Sequence, residues 1–115
     1  MKVEIKNFTK EELACPCCGE NKIEDKALMR LQVLRDLCGF PLSISSGYRC
    51  KKHNEKIGGA KHSKHLNGVA FDVQKLSSSQ RAIFFKNALN LGFSGIGVYE
   101  AHVHIDLREK TAMWL

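Results

Sequence analysis

A chain of 115 residues has room for one modest hydrophobic core and reads as a single domain over 1–115. Its 43% apolar share excludes wholesale disorder, and no run of about 18 apolar residues is present to form a membrane-spanning helix. The net charge of +6 supports a weak pull towards anionic surfaces; aromatic residues do not interleave with the lysines, so no nucleic-acid partner is expected.

The opening Met-Lys-Val-Glu-Ile-Lys-Asn has no apolar stretch of signal-peptide length, so the chain is expected to stay where it is made until released or delivered. Thr9 and Glu12 have capping-box spacing, and a short helical turn is expected there. From Glu24 to Cys38, Ala27, Leu28, Leu31, Leu34, Leu37 and Cys38 recur with helical period, Lys26, Arg30 and Arg35 face water, and Gly39 is the stop. Pro41 cannot continue a helix, and Leu42-Ser43-Ile44-Ser45 reads as a short strand before a Ser46-Gly47 turn. Arg49 to Ile57 reads as a polar helix halted by Gly58-Gly59. Ser77 and Gln80 form a second capping box, opening a helix whose expected buried stripe is Ala82, Ile83, Phe85, Ala88 and Leu89, with Gly92 at its end.

Two segments alternate with period two. In Val69-Ala70-Phe71-Asp72-Val73 the apolar face is Val69, Phe71 and Val73, with Asp72 opposite. In the segment from His102 to Leu107 the apolar face is Val103, Ile105 and Leu107, with His102, His104 and Asp106 opposite. In one sheet, the two polar faces would coincide. A catalytic zinc takes three protein ligands from imidazole and carboxylate and keeps a position open. His65, just before the first strand, Asp72 on it and His104 on the second make such a set, while Asp106 could orient an imidazole from behind. His53 and His62 read as surface or supporting histidines.

Five cysteines are many for this length, and their odd number forbids complete internal pairing. Cys15 and Cys18 have the CxxC spacing of a metal clip, and Cys50 with His53 could complete a second, structural zinc site. A disulfide and free thiols are the competing readings, reduced thiols being the default without an export signal. The active site is expected elsewhere.

Flanking residues add a resemblance. Ser46-Gly47-Tyr48-Arg49, then Ser63-Lys64-His65-Leu66-Asn67-Gly68-Val69-Ala70-Phe71-Asp72, then Gly95-Ile96-Gly97-Val98-Tyr99 before the His-x-His strand, stand in the order of the zinc D-Ala-D-Ala carboxypeptidase family. The likeness runs from the Phe8/Leu13 region to Arg108, and murein endopeptidases and the hedgehog signalling domain share that fold. It implies zinc on His65, Asp72 and His104, Arg49 at the scissile carbonyl or its oxyanion, and Ser63 helping to hold substrate. Many members carry an acid three residues before the last zinc histidine; here that position is Ala101. His102, as in the endopeptidase and hedgehog variants, is then the first candidate for acid–base work and Glu100 the second.

The expectation is an α+β domain with a small antiparallel sheet, helices on one face and zinc on the other. It would be a monomeric zinc metallopeptidase cutting peptidoglycan stem peptides, as carboxypeptidase or endopeptidase, in the manner of a phage or prophage lysin. A zinc-stabilised binding module without turnover is the alternative.

Overall fold

The computed structural model describes residues 4–115; Met1, Lys2 and Val3, which open the segment read for an export signal, lie outside the described residues. Among those described, the strands β1 (Ser43–Ser46), β2 (Ala70–Gln74), β3 (Gly95–Val98), β4 (His102–Asp106) and β5 (Ala112–Trp114) form one sheet in the order β1-β2-β4-β3-β5. The first four pair antiparallel, whereas β5 runs parallel to β3, so the sheet is mixed and not wholly antiparallel. The reason is topological. Both edges of β4 are taken by β2 and β3, so the returning chain cannot pair with β4 and adds at the free edge of β3.

Among the described residues, four α-helices accompany the sheet: α1 (Lys10–Leu13), α2 (Asp25–Cys38), α3 (Lys51–Lys56) and α4 (Ser78–Asn90). Both capping boxes form, Thr9 with Glu12 and Ser77 with Gln80, so exposed backbone donors at those helix starts are satisfied. Gly39 ends α2 in the left-handed conformation, at φ 73°, where a side chain would be strained.

The long helices cover the apolar face of the sheet. Ala27, Leu31 and Leu34 of α2 and Phe84 and Ala88 of α4 close over Phe71, Val73, Ile96, Val103 and Ile105, all fully buried. Gln32 is buried with them without cost, because it accepts from the backbone N–H groups of Lys6 and Asn7 and donates to Asn7 and Asp36.

Two helix phases differ from expectation. In α4, Ala82, Ile83 and Leu89 face outward, and Phe84 takes the central buried place. The run Ala82-Ile83-Phe84-Phe85 offers two apolar phases, and burying the phenyl ring removes more apolar area from water. In α2, Leu37 is 55% exposed although it fits the periodic stripe. Leu37→Ala is therefore expected to change stability by less than about 0.5 kcal/mol, and Leu34→Ala to cost at least about 2 kcal/mol. Urea midpoints at constant slope would check both; equal losses would contradict this packing.

The expectation of helices on one face holds for α2 and α4. The short α3 and a 3₁₀ turn over Lys64–Asn67 instead flank the opposite face, where the polar side chains of β2 and β4 collect.

Candidate metal centre

Strand register brings the polar residues together. Asp72 of β2 lies directly opposite His104 of β4, and Gly97 of β3 lies opposite His104 on its other side. His65 arrives from the 3₁₀ turn, whose Gly68 exit is left-handed at φ 71°. A Cβ at Gly68 would stand 1.9 Å from the Lys22 carbonyl oxygen, so only glycine allows the chain to turn here into β2. The result is that His65, Asp72 and His104, all buried, place their ligand atoms within 4.8 Å of one another.

The far side of each imidazole determines what its near side can do. His65 Nδ1 is 2.6 Å from the Gly47 carbonyl oxygen and must donate to it, since a carbonyl only accepts. Its Nε2 lone pair then faces Asp72 Oδ1 at 3.2 Å. His104 Nε2 donates to Asp106 Oδ2 at 2.6 Å, which leaves Nδ1 facing the same Asp72 oxygen at 2.9 Å. Asp106 is itself fully buried and held by the Nε and Nη2 of Arg108. Two ring lone pairs aimed at one carboxylate oxygen repel unless a cation or protons lie among them. Two imidazole nitrogens and a carboxylate, each ring braced from behind, suit a zinc ion that keeps one position open.

The charged groups follow this arrangement. Burial pushes the Asp72 carboxyl up, but the adjoining His104 and His65 imidazoles outweigh it and hold Asp72 well below the carboxylate range. Burial likewise raises Asp106, yet Arg108 and then His104 bring it down to about 2. For His104 burial favours the neutral ring, and the bonds to Asp106 and Asp72 override it, so the imidazole is raised above its ordinary 6.5. Without metal, a proton on His104 thus substitutes for the cation. Its stabilising effect is complete below 6.5 and is lost as pH rises through the raised folded value. Chelator-treated protein is expected to melt at progressively lower temperature as pH rises through that window, while zinc-loaded protein resists. A chelated melting temperature that stays flat would contradict this.

The glycines of Gly95-Ile96-Gly97 keep space above β3. A Cβ at Gly95 would lie 2.1 Å from Asp106 Oδ1, and one at Gly97 2.6 Å from Trp114 Nε1. Trp114, on the unforeseen strand β5, therefore reaches the centre: its ring lies 5.3 Å from that of His104, Arg108 sits over it, and its Nε1 donates to the Tyr99 hydroxyl at 2.8 Å. Local spacing marks neither Trp114 nor Arg108; a lone tryptophan in a polar segment is the only sequence signal.

The remaining candidates are placed unequally. Arg49 is anchored by three bonds, from Nε to Ser46 Oγ, from Nη1 to Asn54 Oδ1 and from Nη2 to Asp72 Oδ2 at 3.1 Å. His102 lies at the mouth, with Nε2 4.0 Å from Asp72 Oδ2 and its ring stacked on Tyr99. Ser63 lines the cleft and caps the 3₁₀ turn by accepting from the His65 N–H. Glu100 is exposed in the β3–β4 turn, where its backbone carbonyl accepts from Arg81, and it does not line the cleft. His62 sits on the cleft rim, and His53 lines a neighbouring hollow. The cleft over the centre has a volume of about 800 Å³, and the hollow, of about 630 Å³, meets it at Arg49, Ile57 and Asp72.

Among the described residues, no helix is long and apolar enough to cross a membrane. A search of curated proteins gives no match. The family model described as Peptidase M15 matches residues 6–106, a span that holds His65, Asp72, His104 and Asp106. With that match across most of its length, the chain belongs to the M15 peptidases, the zinc metallopeptidase family of D-Ala-D-Ala carboxypeptidase type.

Proposed function

We propose that this protein hydrolyses peptide bonds in the stem peptides of bacterial peptidoglycan, near D-amino acids, as a phage lysin or virion-carried wall-opening enzyme does. The observation that carries the reading is the braced pair of imidazoles meeting Asp72 on the floor of an open cleft. Bound zinc would polarise the scissile carbonyl and make water acidic enough to attack near neutral pH. Arg49 spends three of its five N–H groups on its anchors, which leaves one on each terminal nitrogen for a carbonyl oxygen gaining charge. His102, 33% exposed and stacked on Tyr99, takes the proton from water and returns it to the leaving amine. Ser63, with Lys61 and Lys64 beside it, offers donors and positive charge to stem carboxylates.

Cleft and hollow meet at Arg49 and Asp72, so an extended peptide has a path on either side of the centre. That favours a cut within the stem over release of the terminal residue alone. Ala101 supports the second reading, a zinc-stabilised wall-binding module, because the acid common in relatives is missing there.

The test is digestion of purified peptidoglycan, with released fragments identified by mass. Multi-residue fragments are expected. Release of single D-Ala would overturn the internal cut, and a zinc-loaded protein that releases nothing would favour the binding module. Arg49→Lys keeps the charge but loses the fork, and turnover is expected to fall about 10–100-fold with zinc content unchanged.

A further inference from the structure

We infer that the chain carries a second metal site, a structural zinc held by the thiolates of Cys15, Cys17, Cys18 and Cys50. The inference is independent of what the His65 centre cleaves. The Sγ atoms of Cys15, Cys18 and Cys50 lie within 4.8 Å of one another, although 32 residues separate the last two in the chain. Cys17 lies outside that 4.8 Å cluster but stands next to Cys18 on the same turn, exposed and free, and is the fourth donor we assign. Four thiolates close a tetrahedral shell, as a structural zinc requires.

The local backbone is built for thiolates. Cys15-Pro16-Cys17-Cys18-Gly19 folds into a tight turn, closed by the Gly19 N–H donating to the Cys15 carbonyl at 2.8 Å, with Gly19 left-handed at φ 75°. The Cys50 N–H donates to Cys15 Sγ and the His53 N–H to Cys50 Sγ, each at 3.4 Å. Burial raises the Cys15 thiol, but backbone donors from Cys50, Cys18 and Cys17 outweigh it and bring it to about 7. Such donors stabilise charged sulfur, whereas a disulfide sulfur is a poor acceptor.

The clip would also explain how the main centre is held. Cys50 directly follows Arg49, and the same loop supplies the Gly47 carbonyl that orients His65. That loop is already laid against the N-terminal segment by the Tyr48 N–H bond to Leu13 at 2.9 Å, and a Cβ at Gly47 would strike the Leu13 carbonyl at 2.6 Å. A metal joining residues 15–18 to residue 50 pins both ends of this contact.

The test is metal stoichiometry and cobalt spectroscopy on the full chain. Wild-type protein is expected to bind two zinc ions, His104→Ala one, Cys18→Ser/Cys50→Ser one, and the triple variant none. Cobalt in His104→Ala should show sulfur-to-cobalt charge transfer, reduced by about one quarter on adding Cys17→Ser; unchanged intensity would overturn the assignment of Cys17. If the double cysteine variant does not fold, thiol labelling of the wild type decides. Only Cys38 should react quickly with zinc present, and all five cysteines after chelation and unfolding. A single zinc lost only with His104→Ala, or a disulfide among these cysteines, would overturn the site. Zinc at the cysteines with no peptidase activity would leave the inference standing while the proposed function failed.

Discussion

His104→Ala is expected to lower peptidase turnover by about 10³-fold or more and to remove one zinc per chain. Loss of one of three ligands leaves His65 and Asp72, too few to retain the ion at working concentrations. A metal that polarises a carbonyl contributes several kcal/mol to the barrier, and each 1.36 kcal/mol is about a factor of ten in rate. His104 sits on the polar face of β4, and the core residues Val103 and Ile105 flanking it are untouched, but buried Asp106 keeps only Arg108 as partner, so the variant is expected to melt lower and its folded state is checked by circular dichroism. Metal analysis, turnover on peptidoglycan and the stabilisation produced by added zinc are the three measurements, and all should change together. Turnover within tenfold of wild type would remove this centre from the chemistry.

Gly95→Ala is expected to be damaging although the residue does not line the cleft. Its Cβ would stand 2.1 Å from Asp106 Oδ1 and 2.5 Å from Arg108 Nε, so the carboxylate must move. Asp106 is fully buried and bonded to both Arg108 and His104, and moving it unseats a buried charge from its partners. Breaking such a pair costs about 3–5 kcal/mol. Loss of the carboxylate behind a metal-binding imidazole lowers metal affinity about 10–100-fold. Thermal melting and zinc titration read the two effects separately. A variant as stable as wild type, with undiminished zinc affinity, would show that Asp106 does not brace His104.

Residue by residue, legibility tracks how local the deciding physics is. Capping boxes at Thr9 and Ser77 act over three residues, and both form where the spacing places them. Alternation put Phe71 and Val73 on one side and Asp72 on the other, and the register pairs Asp72 with His104 as the merging of the two polar faces requires. The phase of α4 was not legible, because its apolar run accommodates two phases and only the shape of the core chooses Phe84. Strand β5 is three residues long and has no pattern of its own; it exists because β3 has a free edge.

The sequence by itself determined the two long helices, the strands carrying Asp72 and His104, the donor types gathered at the candidate centre and the family likeness, since each is written in local spacing. Tertiary structure alone decided how those ligands are braced. The Gly47 carbonyl behind His65, Asp106 with Arg108 behind His104, and Trp114 over the centre meet only when distant strands pair. The cysteine cluster follows the same rule: a CxxC turn is local, but Cys50 joins it only because the loop after β1 packs on the N-terminal segment. Spacing prescribes which atoms are available, and long-range pairing prescribes which face one another.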